Sequence, residues 1–130
     1  MILFACIHNS GRSVAAEVIA RSLGLDARSA GSEPGAGVNP LVAQVLAERG
    51  LSADQHVPTL LTPELVEQVD VVVTMGCGDS CPYIPGKRYI DWDLPDPQGR
   101  PADEVRRTRD EIVARVAGLV AELDRPGAHV

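Results

Sequence analysis

The chain opens on an unbroken apolar run, Met1 to Ala5, and then changes character abruptly. Such a run, without alternation, predicts a strand buried on both faces. An amphipathic stretch follows from Val14 to Leu23, with Val14, Val18, Ile19 and Leu23 expected on one helical face and Gly24 as its stop. Leu25 to Ala30 reads as a short second strand, and Gly31 to Gly37 as a loop. Asn39-Pro40 is the N-cap and first residue expected of a second helix, striped by Leu41, Val42, Val45 and Leu46 and ended by Gly50. Thr62-Pro63-Glu64 opens a shorter third helix carrying Leu65, Val66 and Val69. Asp70 to Met75 encloses Val71-Val72-Val73, a second strand of the doubly buried kind. Gly76 to Gly86 is a second loop, and Arg88 to Asp91 a fourth strand. A last helix is expected from Ala102 to Leu123, with Val105, Ile112, Val116, Leu119 and Leu123 inward.

Strands that alternate with helices favour a parallel α/β sheet, whose ligands sit at the carboxyl ends of the strands. Cys6, Cys77 and the stretch Asp91 to Asp96 each follow a predicted strand, so all three should gather at one edge. The 130 residues suit one domain, residues 1–130. A net charge of −6 and the absence of any basic run argue against nucleic acid or an anionic membrane as partner. The apolar start is too short for a signal peptide and no span reaches membrane length, so a cytoplasmic monomer is the expectation. Three cysteines, an odd number, suit reactive thiols better than a disulfide framework. With no second cysteine pair and only His8, His56 and His129 to add, no metal and no bound cofactor are expected.

The chemistry begins at Cys6-Ile7-His8-Asn9-Ser10-Gly11-Arg12-Ser13, a cysteine at a strand end and an arginine at a helix start. Backbone N–H groups curled between them, with the positive end of the helix dipole, suit a small tetrahedral oxyanion bound by residues 8–12. Arg12 can close on two oxygens as a planar fork. The same field should leave Cys6 a nucleophilic thiolate, with the Ser13 hydroxyl as a donor to it. Asn9 tolerates a left-handed backbone and Gly11 removes side-chain bulk. His8 is expected at the rim. An oxyanion attacked by sulfur must lose an oxygen, and that oxygen needs a proton. Asp96, stiffened between Pro95 and Pro97 on an exposed loop, is the candidate acid; the plainer alternative is a turn aspartate serving nearby amides. Glycines and a proline around Cys77 and Cys81 suggest the backbone freedom that thiol–disulfide exchange requires.

With these parts in place the chain resembles the arsenate reductases of the low-molecular-weight phosphatase-like superfamily over essentially its whole length. The resemblance rests on the Cys6 to Ser13 motif, Ser29-Ala30-Gly31, Gly37-Val38-Asn39-Pro40 and Val72-Val73-Thr74-Met75. It continues through Cys81-Pro82, Asp96-Pro97 and Arg109-Asp110-Glu111-Ile112. It implies a four-stranded parallel sheet with helices on both faces, the flavodoxin-like three-layer fold. It implies Cys6 as nucleophile, Arg12 as oxyanion clamp, Ser13 as thiolate stabiliser and Asp96 as general acid, with Asn9, Glu17 and Ser29 supporting the loop. In the thioredoxin-linked branch it further implies that Cys77 attacks Cys6, releasing arsenite, and that Cys81 then attacks Cys77 to present a disulfide to the external reductant. Phosphate and sulfate would compete as oxyanions.

Two departures from that pattern stand out. Only three residues separate Cys77 from Cys81, fewer than is usual in the branch, which leaves open the order in which they act. His8 stands where the phosphatases often have glycine. A related branch that draws on mycothiol and mycoredoxin needs only the nucleophilic cysteine. A tyrosine phosphatase would share the loop and the acid but wants aromatic walls, and Gln98 follows Pro97 where such enzymes typically have an aromatic residue. A non-catalytic arsenic-binding or thiol-redox sensor would need neither Arg12 nor Asp96.

Overall fold

The computed structural model describes residues 1–76 and 84–123. Cys77 and Cys81, and with them the expected relay, lie outside the described residues. Four strands form one parallel sheet in the order β2-β1-β3-β4, with β1 at Ile2–Cys6, β2 at Ala27–Gly31, β3 at Val71–Thr74 and β4 at Arg88–Asp91. The helices are α1 (Arg12–Ser22), α2 (Pro40–Ala47), α3 (Pro63–Glu67) and α4 (Ala102–Leu123).

All five residues of β1 are buried, as its unbroken apolar run requires of a central strand. Ile2, Phe4 and Cys6 face a core shared with α1, α2 and α4. Leu3 and Ala5 face a smaller one closed by Val66 of α3 and by Leu61 and Val69 beside it. Helices therefore cover both faces, unequally. Caps stand where the sequence placed them: the side chains of Asn39 and Thr62 accept from the amides of Leu41 and Leu65, each ahead of a first-turn proline. Among the described residues, no helix is long and apolar enough to cross a membrane.

Two readings need correction. The inward face of α1 carries Ala15, Ala16 and Ala20 beside Val14 and Ile19, whereas Leu23 falls past the helix end and is exposed. Those small residues pack in one core with β1 and α4. The stretch after β4 was expected to be an exposed loop, yet Trp92 and Leu94 are buried in the main core. The Trp92 ring lies 5.8 Å from that of Phe4, centroid to centroid.

The outer edge of β2 is covered by the segment leading to α3. Gly31 donates to the carbonyl of Thr59 and accepts from the amide of Leu61, both at 2.8 Å, and Arg21 Nε caps the carbonyl of Ala27. Because β2 and β3 lie on opposite sides of β1, the chain changes direction across the sheet at the end of β1. That is the place where an open parallel sheet forms its ligand crevice.

Candidate active site

Cys6 ends β1 and Arg12 begins α1, so the five residues between them turn from one element to the other at that crevice. The turn is held in shape from outside. Ser32 N–H donates to the carbonyl of Cys6, Glu33 N–H to that of Ile7, Gly35 N–H to that of His8 and Asn39 N–H to that of Ser10, at 2.7–3.2 Å. With those carbonyls engaged outward, the loop can turn its own N–H groups toward the cleft. The first turn of α1 carries no acidic side chain to compete for its amides.

Asn9 is completely buried and holds φ at 50°, in the left-handed region. Its side chain explains why it stays there: Nδ2 donates to Ser13 Oγ at 2.8 Å, while Oδ1 accepts from Thr59 N and from His56 Nε2, both at 3.0 Å. Ser13 Oγ thus has a donor, which leaves its own hydrogen for Cys6 Sγ at 2.8 Å. Hydrogen bonds run from His56 through Asn9 and Ser13 to the buried sulfur. Behind them, Glu17 Oε1 accepts from Ser29 Oγ at 3.0 Å, and Glu17 Oε2 lies 3.8 Å from His56 Nδ1. Burial pushes the Glu17 carboxyl up, but His56, Ser29 and the charge of Arg21 together outweigh it and hold the group below its ordinary value.

The guanidinium of Arg12 is almost buried, with Nη1 donating to the carbonyl of Leu94 at 3.2 Å and Nη2 3.9 Å from Asp96 Oδ2. Trp92 and Leu94 anchor the roof so that Asp96 hangs over the cleft with its side chain half exposed. Asp96 serves its turn, Oδ1 accepting from the amide of Gln98 at 3.0 Å, while Oδ2 faces Arg12. Gly11 is what lets the roof sit so low. A Cβ there would stand 2.7 Å from Pro97 Cγ, so a side chain would lift Asp96 off the loop. The resulting cleft, about 470 Å³, is lined by Cys6, His8, Ser10, Arg12, Asp96 and Gln98, with the stretch from Gly35 to Pro40, apolar but for Asn39, as one wall. His8 stands at its rim, its Nδ1 3.0 Å from the carbonyl of Glu33. None of the described lining residues is Phe, Tyr or Trp.

The structure thus gathers Cys6, His8, Asn9, Ser10, Gly11, Arg12, Ser13 and Asp96 at one edge, with Glu17 and Ser29 directly behind. Residues 1–128 match the family model for low molecular weight phosphotyrosine protein phosphatases. The chain belongs to that family. Within it, the chain is similar to the arsenate reductase of Staphylococcus aureus strain Newman, 36% identical over 85% of this chain and 88% of that one. Among solved structures it resembles the arsenate reductase of Archaeoglobus fulgidus, with TM-score 0.82 and 35% identity over 93% of this chain and 99% of that one. It also resembles a thioredoxin-dependent arsenate reductase of Corynebacterium glutamicum, with TM-score 0.82 and 38% identity over 94% of this chain. This chain spans 60% of the length of that protein.

Sequence reasoning missed His56 and Thr59, which hold Asn9 from 47 and 50 residues away. No periodicity or spacing marks them. It also read Gly31 to Gly37 as a plain loop, although the amides of Ser32, Glu33 and Gly35 hold the turn between Cys6 and Arg12.

Proposed function

We propose that this protein reduces arsenate to arsenite at Cys6 through an internal thiol relay. What carries the reading is a buried Cys6 Sγ, 2.8 Å from the Ser13 hydroxyl and beside Arg12, under a cleft with no described aromatic wall. Such a floor suits a bare oxyanion better than an aryl ester. The arsenate reductases among its relatives and the three cysteines of the chain support the same reading.

Arg12 and the loop amides take the oxyanion. The Cys6 thiolate attacks arsenic, and hydroxide leaves as water with the proton of Asp96. The Cys77 thiolate then attacks Cys6 sulfur, and the electrons of the S–As bond stay on arsenic, which departs as arsenite. Two thiols become one disulfide as arsenic(V) becomes arsenic(III), so the electrons balance. Cys81 attacks Cys77 and frees Cys6, and thioredoxin reduces the Cys77–Cys81 disulfide. Thioredoxin is proposed because a thioredoxin-dependent enzyme is among the similar structures. Phosphate enters the same floor but accepts no electrons from sulfur, so it is a competitor.

The test is arsenite production with thioredoxin, thioredoxin reductase and NADPH, beside a mycothiol and mycoredoxin mixture and a phosphate-monoester assay. Loss of turnover in each of Cys6→Ser, Cys77→Ser and Cys81→Ser in the thioredoxin arm supports the relay. Turnover only in the small-thiol arm, with Cys77→Ser and Cys81→Ser fully active, overturns it. Ester hydrolysis with no arsenite in either arm would make the protein a phosphatase.

A further inference from the structure

The clamp residue Arg12 is seated by one of the glycines that flank Cys77. Gly76 follows Met75 at the end of β3 and holds φ at +96°, in the left-handed region. A Cβ built on it would stand 2.4 Å from Arg12 Nη1, 3.2 Å from Cζ and 3.3 Å from Nη2. The Nη1 edge of the guanidinium therefore occupies the space that a side chain at residue 76 would fill. Its opposite contact is the roof, through the Nη1 bond to Leu94 and the approach to Asp96 Oδ2. Arg12 is thus held between the residue just past β3 and the roof segment that follows β4.

We infer that Gly76 is a positioning residue for oxyanion binding: the missing side chain at residue 76 lets the Arg12 fork face the anion loop. A methyl group at that position has to displace the guanidinium, the end of an otherwise flexible chain, so the damage falls on anion affinity more than on folding. The inference rests on Arg12 as the oxyanion clamp and is independent of the redox relay.

The chain supplies its own control. Gly24 has a similar φ of +89°, with no atom within 4 Å of a built Cβ. Gly24→Ala thus imposes the same backbone strain without touching anything. Gly76→Asn adds a third variant, since asparagine tolerates left-handed backbone but still fills the space.

Phosphate binding by isothermal titration calorimetry, with a thermal melt of each variant, decides the matter. Gly76→Ala and Gly76→Asn are expected to raise the phosphate Kd about tenfold or more, the scale of a displaced charge-assisted fork. Gly24→Ala is expected to lower Tm about as much as Gly76→Ala while leaving the phosphate Kd unchanged. Combined with Arg12→Lys, Gly76→Ala should add little further loss, because the group it displaces is already gone. Wild-type affinity in both Gly76 variants, or a full further loss on top of Arg12→Lys, would overturn the inference. If the Kd values behave as stated but wild type yields no arsenite, the relay fails and the positioning role stands.

Discussion

The floor and the roof of the cleft are built in opposite ways. In the floor, Asn9 and Ser13 are fully buried, and the outward carbonyls of Cys6, Ile7, His8 and Ser10 are each bonded by the strap from Ser32 to Asn39. The roof hangs from two apolar anchors, Trp92 and Leu94, and leaves Asp96 half in water. Donors that must meet an oxyanion without rearranging are best enclosed and fixed in advance. The acid role proposed for Asp96 needs a proton regained at each turnover, and its exposure suits that role.

The largest effect is expected at Cys6, the proposed nucleophile. Cys6→Ser should cut arsenite release by more than about 10³-fold, because a hydroxyl neither attacks as a thiolate nor passes electrons to arsenic. Asp96→Asn should lower kcat about 10²-fold, the usual scale of a lost general acid. Phosphate should bind it no more weakly than wild type, since the amide carries no charge to repel an anion. Equal losses in kcat and in phosphate affinity would place Asp96 in the floor instead. Asn9→Ala should do the reverse. It removes three hydrogen bonds, one buried and two part-buried, and puts alanine at a positive φ, so about 2–4 kcal/mol of stability should go in a denaturant titration, with anion affinity falling alongside.

The smallest effect is expected behind the floor, at half-buried Glu17. The folded value of Glu17 lies below its ordinary 4.5, so its stabilising contribution is complete above about pH 4.5 and is lost as the pH falls through the folded value. Melting temperature followed down from pH 6 should therefore fall less steeply in Glu17→Gln than in wild type. A parallel fall in both would mean that Glu17 does not support the floor.

The sequence made the elements legible because their signals are local. Asn39-Pro40 and Thr62-Pro63 carry their own caps, and the valines of β3 announce a buried strand. The floor was legible for the same reason, since Cys6 and Arg12 bracket a single turn. What failed were features set by packing between distant segments. Trp92 reads as a loop residue until Phe4 is placed beneath it. Leu23 fits the helical stripe but falls one residue beyond Ser22, where the helix ends. His56 carries no mark of its role, because only the fold brings it to Asn9.

The segment from His56 to Leu61 carries two duties on one stretch of backbone. Its residues His56 and Thr59 grip Asn9, and its main chain seals the outer rim of β2 at Gly31. An uncovered strand rim is a template on which other chains can stack. A lesion that peels this segment away would therefore strip the loop between Cys6 and Arg12 of its support and bare an adhesive edge in the same event. Inactive molecules of that kind would be the ones that precipitate, so solubility and activity should decline together in variants of this segment.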